Sequence, residues 1–130
     1  MSEQVEPLND AERQWVAAHV AAARRALGEG ELTAGALDEL WEQTRGTEPS
    51  EQNDRVNVVG LALGQHLVDR FGLEWAVVSD EQGTDIAVRG PSDFTVFPTN
   101  FVAKRYETGE TYFIEPFVGE VERTLGSLRR

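Results

Sequence analysis

The chain has 130 residues, the size of one domain, and a formal net charge of −11 from 23 acidic and 12 basic residues. It contains no cysteine, which excludes a disulfide framework, a thiolate metal site and a cysteine nucleophile. The acidic surface disfavours nucleic acid and anionic membranes, and no apolar run approaches the ~20 residues that span a bilayer, so we expect a cytoplasmic protein.

Helices are predicted throughout the first half of the chain. Residues 1–8 are expected to be a loose lead-in to a first helix over 9–27. A second helix is predicted over 33–44, a break at 45–49 and a third helix over 51–71, because apolar residues recur there at helical spacing.

Local patterns in these helices predict specific contacts. Asn9 and Glu12 are spaced as a capping box, which fixes the start of the first helix. Gly60 and Gly64 lie on or beside the apolar face of the third helix, where each costs up to ~1 kcal/mol against alanine, so we expect close packing there.

After the third helix the apolar period falls to two. Strands are predicted at 73–78, 85–89 and 94–97, with turns at 80–83 and 90–93, which together predict an antiparallel meander.

Two further helices complete the predicted fold. A short helix opens at Pro98 and ends at Gly109, and a last helix runs from about Phe113 to Leu128 with Pro116 in its first turn. The predicted class is α+β, a single domain over 1–130, with N-terminal helices, a three-stranded meander covered on one face by helices, and a C-terminal helix. Its last helix should bury Phe113, Phe117, Val121, Leu125 and Leu128.

The acidic hairpin around Gly83 is the first candidate site. Asp80, Glu81 and Asp85 are close enough in sequence to hold a cation or to act as an acid–base pair. The spacing does not match a calcium loop, and we favour a turn in which Asp80 bonds nearby backbone while the other carboxylates are solvated.

The basic pair Lys104 and Arg105 is the second candidate, and Lys104 is the only lysine in the chain. The pair is suited to an anionic ligand or a carboxylate of a partner. The interpretation we favour is an internal ion pair with the hairpin acids, which fixes the short helix in place.

The histidines and tryptophans carry weaker signals. His19 and His66 lie on different predicted helices with no ligand spacing, so a metal site is not predicted. Trp15, Trp41 and Trp75 fall on predicted buried faces and are expected to be core residues. Because no nucleophile elbow, phosphate loop, dinucleotide fingerprint or zinc-protease motif is present, we assign no catalytic residue and no cofactor.

Several motifs in the second half of the chain resemble those of one protein family. They are Leu61-Ala62-Leu63-Gly64, Trp75-Ala76-Val77-Val78, Asp80-Glu81, Gly83-Thr84-Asp85, Ala87-Val88-Arg89, Val96-Phe97-Pro98, Val102-Ala103-Lys104-Arg105 and Gly109-Glu110. In order and spacing the region of about 60–128 resembles the bacterial domain-of-unknown-function family 3806. The resemblance implies a small bacterial domain in which the acidic hairpin and the basic pair occur together, and it lends no activity.

Three functions remain open from the sequence. The first is a non-catalytic interaction module, in a specific version an immunity or antitoxin-like protein that binds a basic partner. The second is a small-molecule-binding domain or small enzyme whose site gathers the hairpin acids and the basic pair, with Trp75 or Asn100 as a wall. The third is a structural role in a homo-oligomer, since monomer and homodimer are both compatible with the sequence.

Overall fold

A computed structural model describes residues 3–44 and 51–129, and the predicted break at 45–49 lies outside them. Within these residues the protein has five α-helices and four β-strands, which confirms the α+β class. The helices are α1 (Asp10–Ala26), α2 (Ala34–Thr44), α3 (Gln52–Phe71), α4 (Pro98–Thr108) and α5 (Ile114–Leu128). The strands are β1 (Gln4–Glu6), β2 (Glu74–Asp80), β3 (Gly83–Arg89) and β4 (Thr95–Val96).

The sheet has one strand more than the sequence predicted. Its order is β1-β2-β3-β4 and every pairing is antiparallel. In the described part of the predicted loose lead-in at 1–8, the prediction is wrong, because Gln4–Glu6 pairs with β2 and Leu8 is buried. The strand was not predicted because it has only three residues and one apolar side chain, Val5, which is too short a run to show a strand period.

The last strand is shorter than predicted. β4 contains only Thr95 and Val96, because Phe94 closes a single 3-10 turn at Pro91–Asp93 and Phe97 is the N-cap of α4. Pro98 is the first residue of α4, where its missing N–H costs no helical hydrogen bond. Because α4 begins at Pro98, the strand β4 is limited to two residues.

The helix ends follow the local sequence signals. Asn9 and Glu12 form the predicted capping box, with the Glu12 amide 2.8 Å from Asn9 Oδ1 and the Asn9 amide 2.7 Å from Glu12 Oε1. α3 and α4 end at Gly72 and Gly109, which adopt the left-handed conformation with φ of 68° and 72°.

Helix α3 lies at the centre of the packing, in contact with α1, α2, α4, α5 and the strands β2 and β3. Buried side chains from all five helices join one hydrophobic cluster. The predicted close packing of the α3 glycines is confirmed: a Cβ at Gly64 would lie 2.3 Å from Trp75, and one at Gly60 would lie 2.7 Å from Thr99 Cα. The two positions thus bring the sheet and α4 close to the α3 backbone.

Two residues predicted to be buried are exposed. Trp15 is 39% exposed and its ring packs against His19 instead of the core. Leu128 is 37% exposed because it lies in the last turn of α5, beyond the helices that cover the rest of the stripe. Ile114 and Val118, which the predicted stripe omitted, are buried.

None of the helices in the part of the chain that the structure describes is both long enough and apolar enough to cross a bilayer.

Candidate functional site

The acidic hairpin connects β2 and β3 through a two-residue loop, and its carboxylates are exposed. Oδ1 of Asp80 accepts a hydrogen bond from the Gln82 amide at 2.8 Å, as expected for a turn aspartate. Oδ1 of Asp85 accepts from the Ile86 amide at 2.8 Å. Each carboxylate thus bonds the backbone beside it, and both residues are exposed.

The basic pair does not form the predicted ion pair with these acids. Arg105 Nε lies 3.8 Å from Glu110 Oε2, and its guanidinium carbon lies 4.2 Å from the centre of the Phe101 ring. Within the described residues, no ion pair joins Lys104 or Arg105 to Asp80 or Asp85. For Asp80 and Asp85 the interpretation of an internal ion pair with α4 is therefore wrong, since the acid that pairs with Arg105 is Glu110, just after the end of α4.

Beside the hairpin lies a groove of about 370 Å³, here called the hairpin groove. One side is made by the hairpin, including Asp80 and Asp85, and the other by Phe97 and Asn100 at the start of α4. The structure thus brings Asn100 to the hairpin acids, as the binding-site hypothesis requires. The lining residues are Val78, Asp80, Gln82, Gly83, Thr84, Asp85, Phe97 and Asn100.

A second depression of about 260 Å³, here called the α4 groove, contains the basic pair. It shares Phe97 and Asn100 with the hairpin groove, so the two grooves adjoin. Its lining residues are Thr95, Val96, Phe97, Asn100, Phe101, Lys104, Arg105 and Phe117. Asp80 and Asp85 therefore lie at one end of a continuous surface, and Lys104 and Arg105 lie at the other end.

Two of the predicted site residues lie away from both grooves. Trp75 packs against Gly64 and donates its indole N–H to Gln65 Oε1 at 3.1 Å, so it joins the sheet to α3. Glu81 sits in the hairpin loop outside the lining of the hairpin groove.

The outer edge of β3 is a feature that the sequence interpretation missed. β3 is seven residues long, but β4 pairs only with Val88 and Arg89. Toward the hairpin loop, β3 therefore has β2 on one side and no second strand among the described residues. The signal was present in the sequence, because the 90–93 turn and Pro98 leave little room for the next strand.

The two histidines occupy separate places. His66 Nδ1 lies 2.9 Å from the Leu32 carbonyl oxygen, which can only accept, so this nitrogen carries the proton. Burial holds the pKa of His66 below its usual value, and the nearby Arg70 lowers it further, against the raising effect of the Leu32 hydrogen bond. His19 Nε2 lies 3.5 Å from Asp54 Oδ1. Across residues 3–44 and 51–129, no three histidine or acidic side chains are arranged to hold a metal ion.

Asp38 is a buried acid that the sequence did not single out. It borders a groove with Tyr112, Glu115 and Pro116, but each of its carboxylate oxygens accepts a hydrogen bond from the first turn of α5. Its role is therefore structural capping.

The sequence matches a known protein family. The sequence model of the family described as Domain of unknown function (DUF3806) matches residues 37–117, well over half of the chain. The matched region begins within α2, earlier than the resemblance at about residue 60, and includes the hairpin, both grooves and the basic pair. Searches of curated proteins and of solved structures gave no match.

Proposed function

This chain belongs to the DUF3806 family, and from that premise we propose that it is a protein-interaction module whose acidic hairpin binds a basic segment of a partner protein. An immunity or antitoxin-like protein that covers a basic partner is the specific form of this proposal. The function is assigned to the hairpin rather than to the acidic surface in general, because the hairpin places exposed carboxylates beside a groove.

The observation that carries the proposal is the state of Asp80 and Asp85. Each of them accepts a hydrogen bond from the neighbouring backbone, and within the described residues no Lys or Arg side chain forms an ion pair with either of them. An exposed carboxylate that is held in place but not neutralised can attract a cation without first breaking an internal pair. The net charge of −11 adds a long-range attraction that speeds the approach of a basic partner.

The test is capture of partners from a native lysate at low and high salt. The baits are the intact protein, the doubly neutralised Asp80→Asn/Asp85→Asn variant, and a charge-matched Glu74→Gln/Glu107→Gln variant whose substitutions are exposed and lie off the hairpin groove. We expect the intact protein to capture a basic protein that high salt releases. The hairpin variant should fail to capture this protein, and the control variant should still capture it. Equal capture by all three baits would show that the hairpin is not the binding site.

The second candidate, a small-molecule site, is favoured by the adjoining grooves. Carboxylates at one end and Lys104 with Arg105 at the other suit a ligand that carries both an amine and an acid group. Each groove is near the lower limit of volume for a small-molecule site, and both are open to solvent. A thermal-shift screen of amino acids and related zwitterions tests this candidate: a shift in the intact protein that Lys104→Ala abolishes supports it, and no shift with any compound counts against it.

A further inference from the structure

The unpaired part of β3 runs along the hairpin groove. Gly83, Thr84 and Asp85 line this groove, whereas β4 pairs with β3 only at its far end, at Val88 and Arg89. Within the described residues, the segment Gly83–Ala87 therefore has a strand on one side only. A strand edge in this state offers backbone N–H and C=O groups to an incoming chain.

The register shows which groups face outward. Asp80 and Gly83 close a two-residue hairpin loop, and such a closing pair is hydrogen bonded. Alternate residues of β3 from Gly83 onward therefore bond to β2, while Thr84 and Ile86 direct their N–H and C=O groups away from it. The contact of the Ile86 amide with the Asp85 carboxylate agrees with this register, because a ladder amide would be occupied by β2.

We propose that the hairpin groove takes an extended basic segment of a partner protein, which adds to the sheet as a strand beside β3. This inference rests on the proposed function and names the mode of binding. A carbonyl of the incoming segment accepts from the Ile86 amide and displaces the Asp85 carboxylate. The carboxylate then pairs with a cationic side chain of the same segment, so the hydrogen bond is exchanged and an ion pair is formed.

The lining of the groove defines the sequence that fits. Asp80 and Asp85 favour lysine or arginine, and Phe97 opposite them favours an apolar side chain. Because successive side chains of a strand point to opposite faces, and because pockets for alternate side chains give strand addition its specificity, we expect a segment in which basic and apolar residues alternate.

A synthetic peptide of alternating lysine and valine with blocked termini is the probe, and the readout is amide hydrogen exchange of the intact protein by NMR. Saturation with the peptide should slow exchange at Ile86 and Thr84 about tenfold or more, as expected when edge amides become hydrogen bonded. The same peptide with alternate backbone nitrogens methylated keeps its charge but cannot pair, and it should give no protection.

A backbone variant provides the second measurement. Thr84→Pro removes an outward N–H without removing a bond to β2, whereas Thr84→Ala keeps this N–H and loses only the hydroxyl contact with Ser79. We expect Thr84→Pro to weaken peptide binding at least about tenfold, a loss of about 1.4 kcal/mol, and Thr84→Ala to leave it nearly unchanged.

The outcomes separate this inference from the proposed function. Equal protection by the methylated peptide, or binding without protection at Ile86, would overturn strand addition and leave the acidic interaction module standing. No binding of the alternating peptide would also overturn strand addition. The lysate experiment tests the interaction module itself. If that proposal is wrong, neutralising the hairpin will not change which proteins are captured.

Discussion

Asp38 Oδ1 lies 2.9 Å from the amide nitrogen of Ile114, 76 residues further along the chain, and Asp38 Oδ2 lies 3.0 Å from that of Glu115. Helix α5 has no capping side chain of its own, because its N-cap residue is Phe113. A carboxylate from α2 therefore takes the place of a local N-cap, and its charge is favourable at the positive end of the α5 dipole.

This capping predicts a large effect of one substitution. Asp38 is 3% exposed, so Asp38→Ala leaves two amides of the α5 start without partners in a buried place. We expect a loss of about 2–3 kcal/mol in the free energy of unfolding, measured by urea denaturation. The neighbouring exposed substitution Glu39→Ala should change it by less than ~0.5 kcal/mol, and similar losses in both variants would argue against the capping role.

The glycines of the helices predict opposite signs for the same substitution. At Gly64 a methyl group would lie 2.3 Å from Trp75, so Gly64→Ala must displace the indole and should destabilise by about 1–3 kcal/mol. In α5, a Cβ at Gly126 meets nothing within 4 Å, so Gly126→Ala should stabilise by up to ~1 kcal/mol. Urea denaturation measures both changes, and stabilisation by Gly64→Ala would contradict the close contact.

His66 predicts a dependence of stability on pH. Its pKa in the folded protein is lowered from 6.5 mainly by burial, and its Nε2 has no hydrogen-bond partner within the described residues. The unfolded state therefore binds the proton more readily, so the contribution of His66 is fully present above pH 6.5 and is lost as the pH falls below it.

The measurement is urea denaturation at several pH values from neutral to mildly acidic. We expect the stability of His66→Gln to fall less over this range than that of the parent protein, because the variant has no proton to take up at this position. His19→Gln is the control. Because it retains His66, it should keep the part of the pH dependence of stability that His66 contributes. An unchanged slope in His66→Gln would show that this histidine is not the group involved.

The Asp85 carboxylate covers an outward amide of the β3 edge, which predicts a role in preventing self-association. Natural sheets place charged side chains at free edges for this purpose. Asp85→Ala should expose the Ile86 amide, so the average mass measured by light scattering should rise with protein concentration. Asp80→Ala removes the same charge, but the Asp80 side chain bonds only the hairpin turn. The average mass of this variant should therefore not rise with protein concentration. If the average mass of both variants rises to the same extent, the lost charge and not the exposed Ile86 amide causes the association.

Features that depend on a few neighbouring residues could be predicted from the sequence. The capping box of Asn9 and Glu12 and the glycine ends at Gly72 and Gly109 each involve groups within one helical turn. The Asp80 turn has the same local origin. Because their hydrogen bonds join groups that are close along the chain, the residue types at these positions are enough to predict them.

The candidate site was predicted in part. Asp80, Asp85, Asn100 and the basic pair line one continuous surface, because short turns keep β2, β3 and α4 close in sequence and in space, whereas Glu81 lies outside its lining. The sequence did not predict which of these charges form ion pairs. The pairing of Arg105 with Glu110 depends on the distance between the two side chains in the folded protein. The free edge of β3 likewise depends on where β4 ends.

The sequence by itself determined the α+β class, the helix ends and the turns, through capping, period and conformational preference. Only the tertiary structure decided that residues 4–6 add a fourth strand, that Asp38 caps α5 and that Trp15 faces solvent. The physical reason is that each of these depends on which distant surface covers a group or completes its hydrogen bonds. Propensity and periodicity carry no information on that partner until the helices and the sheet have packed.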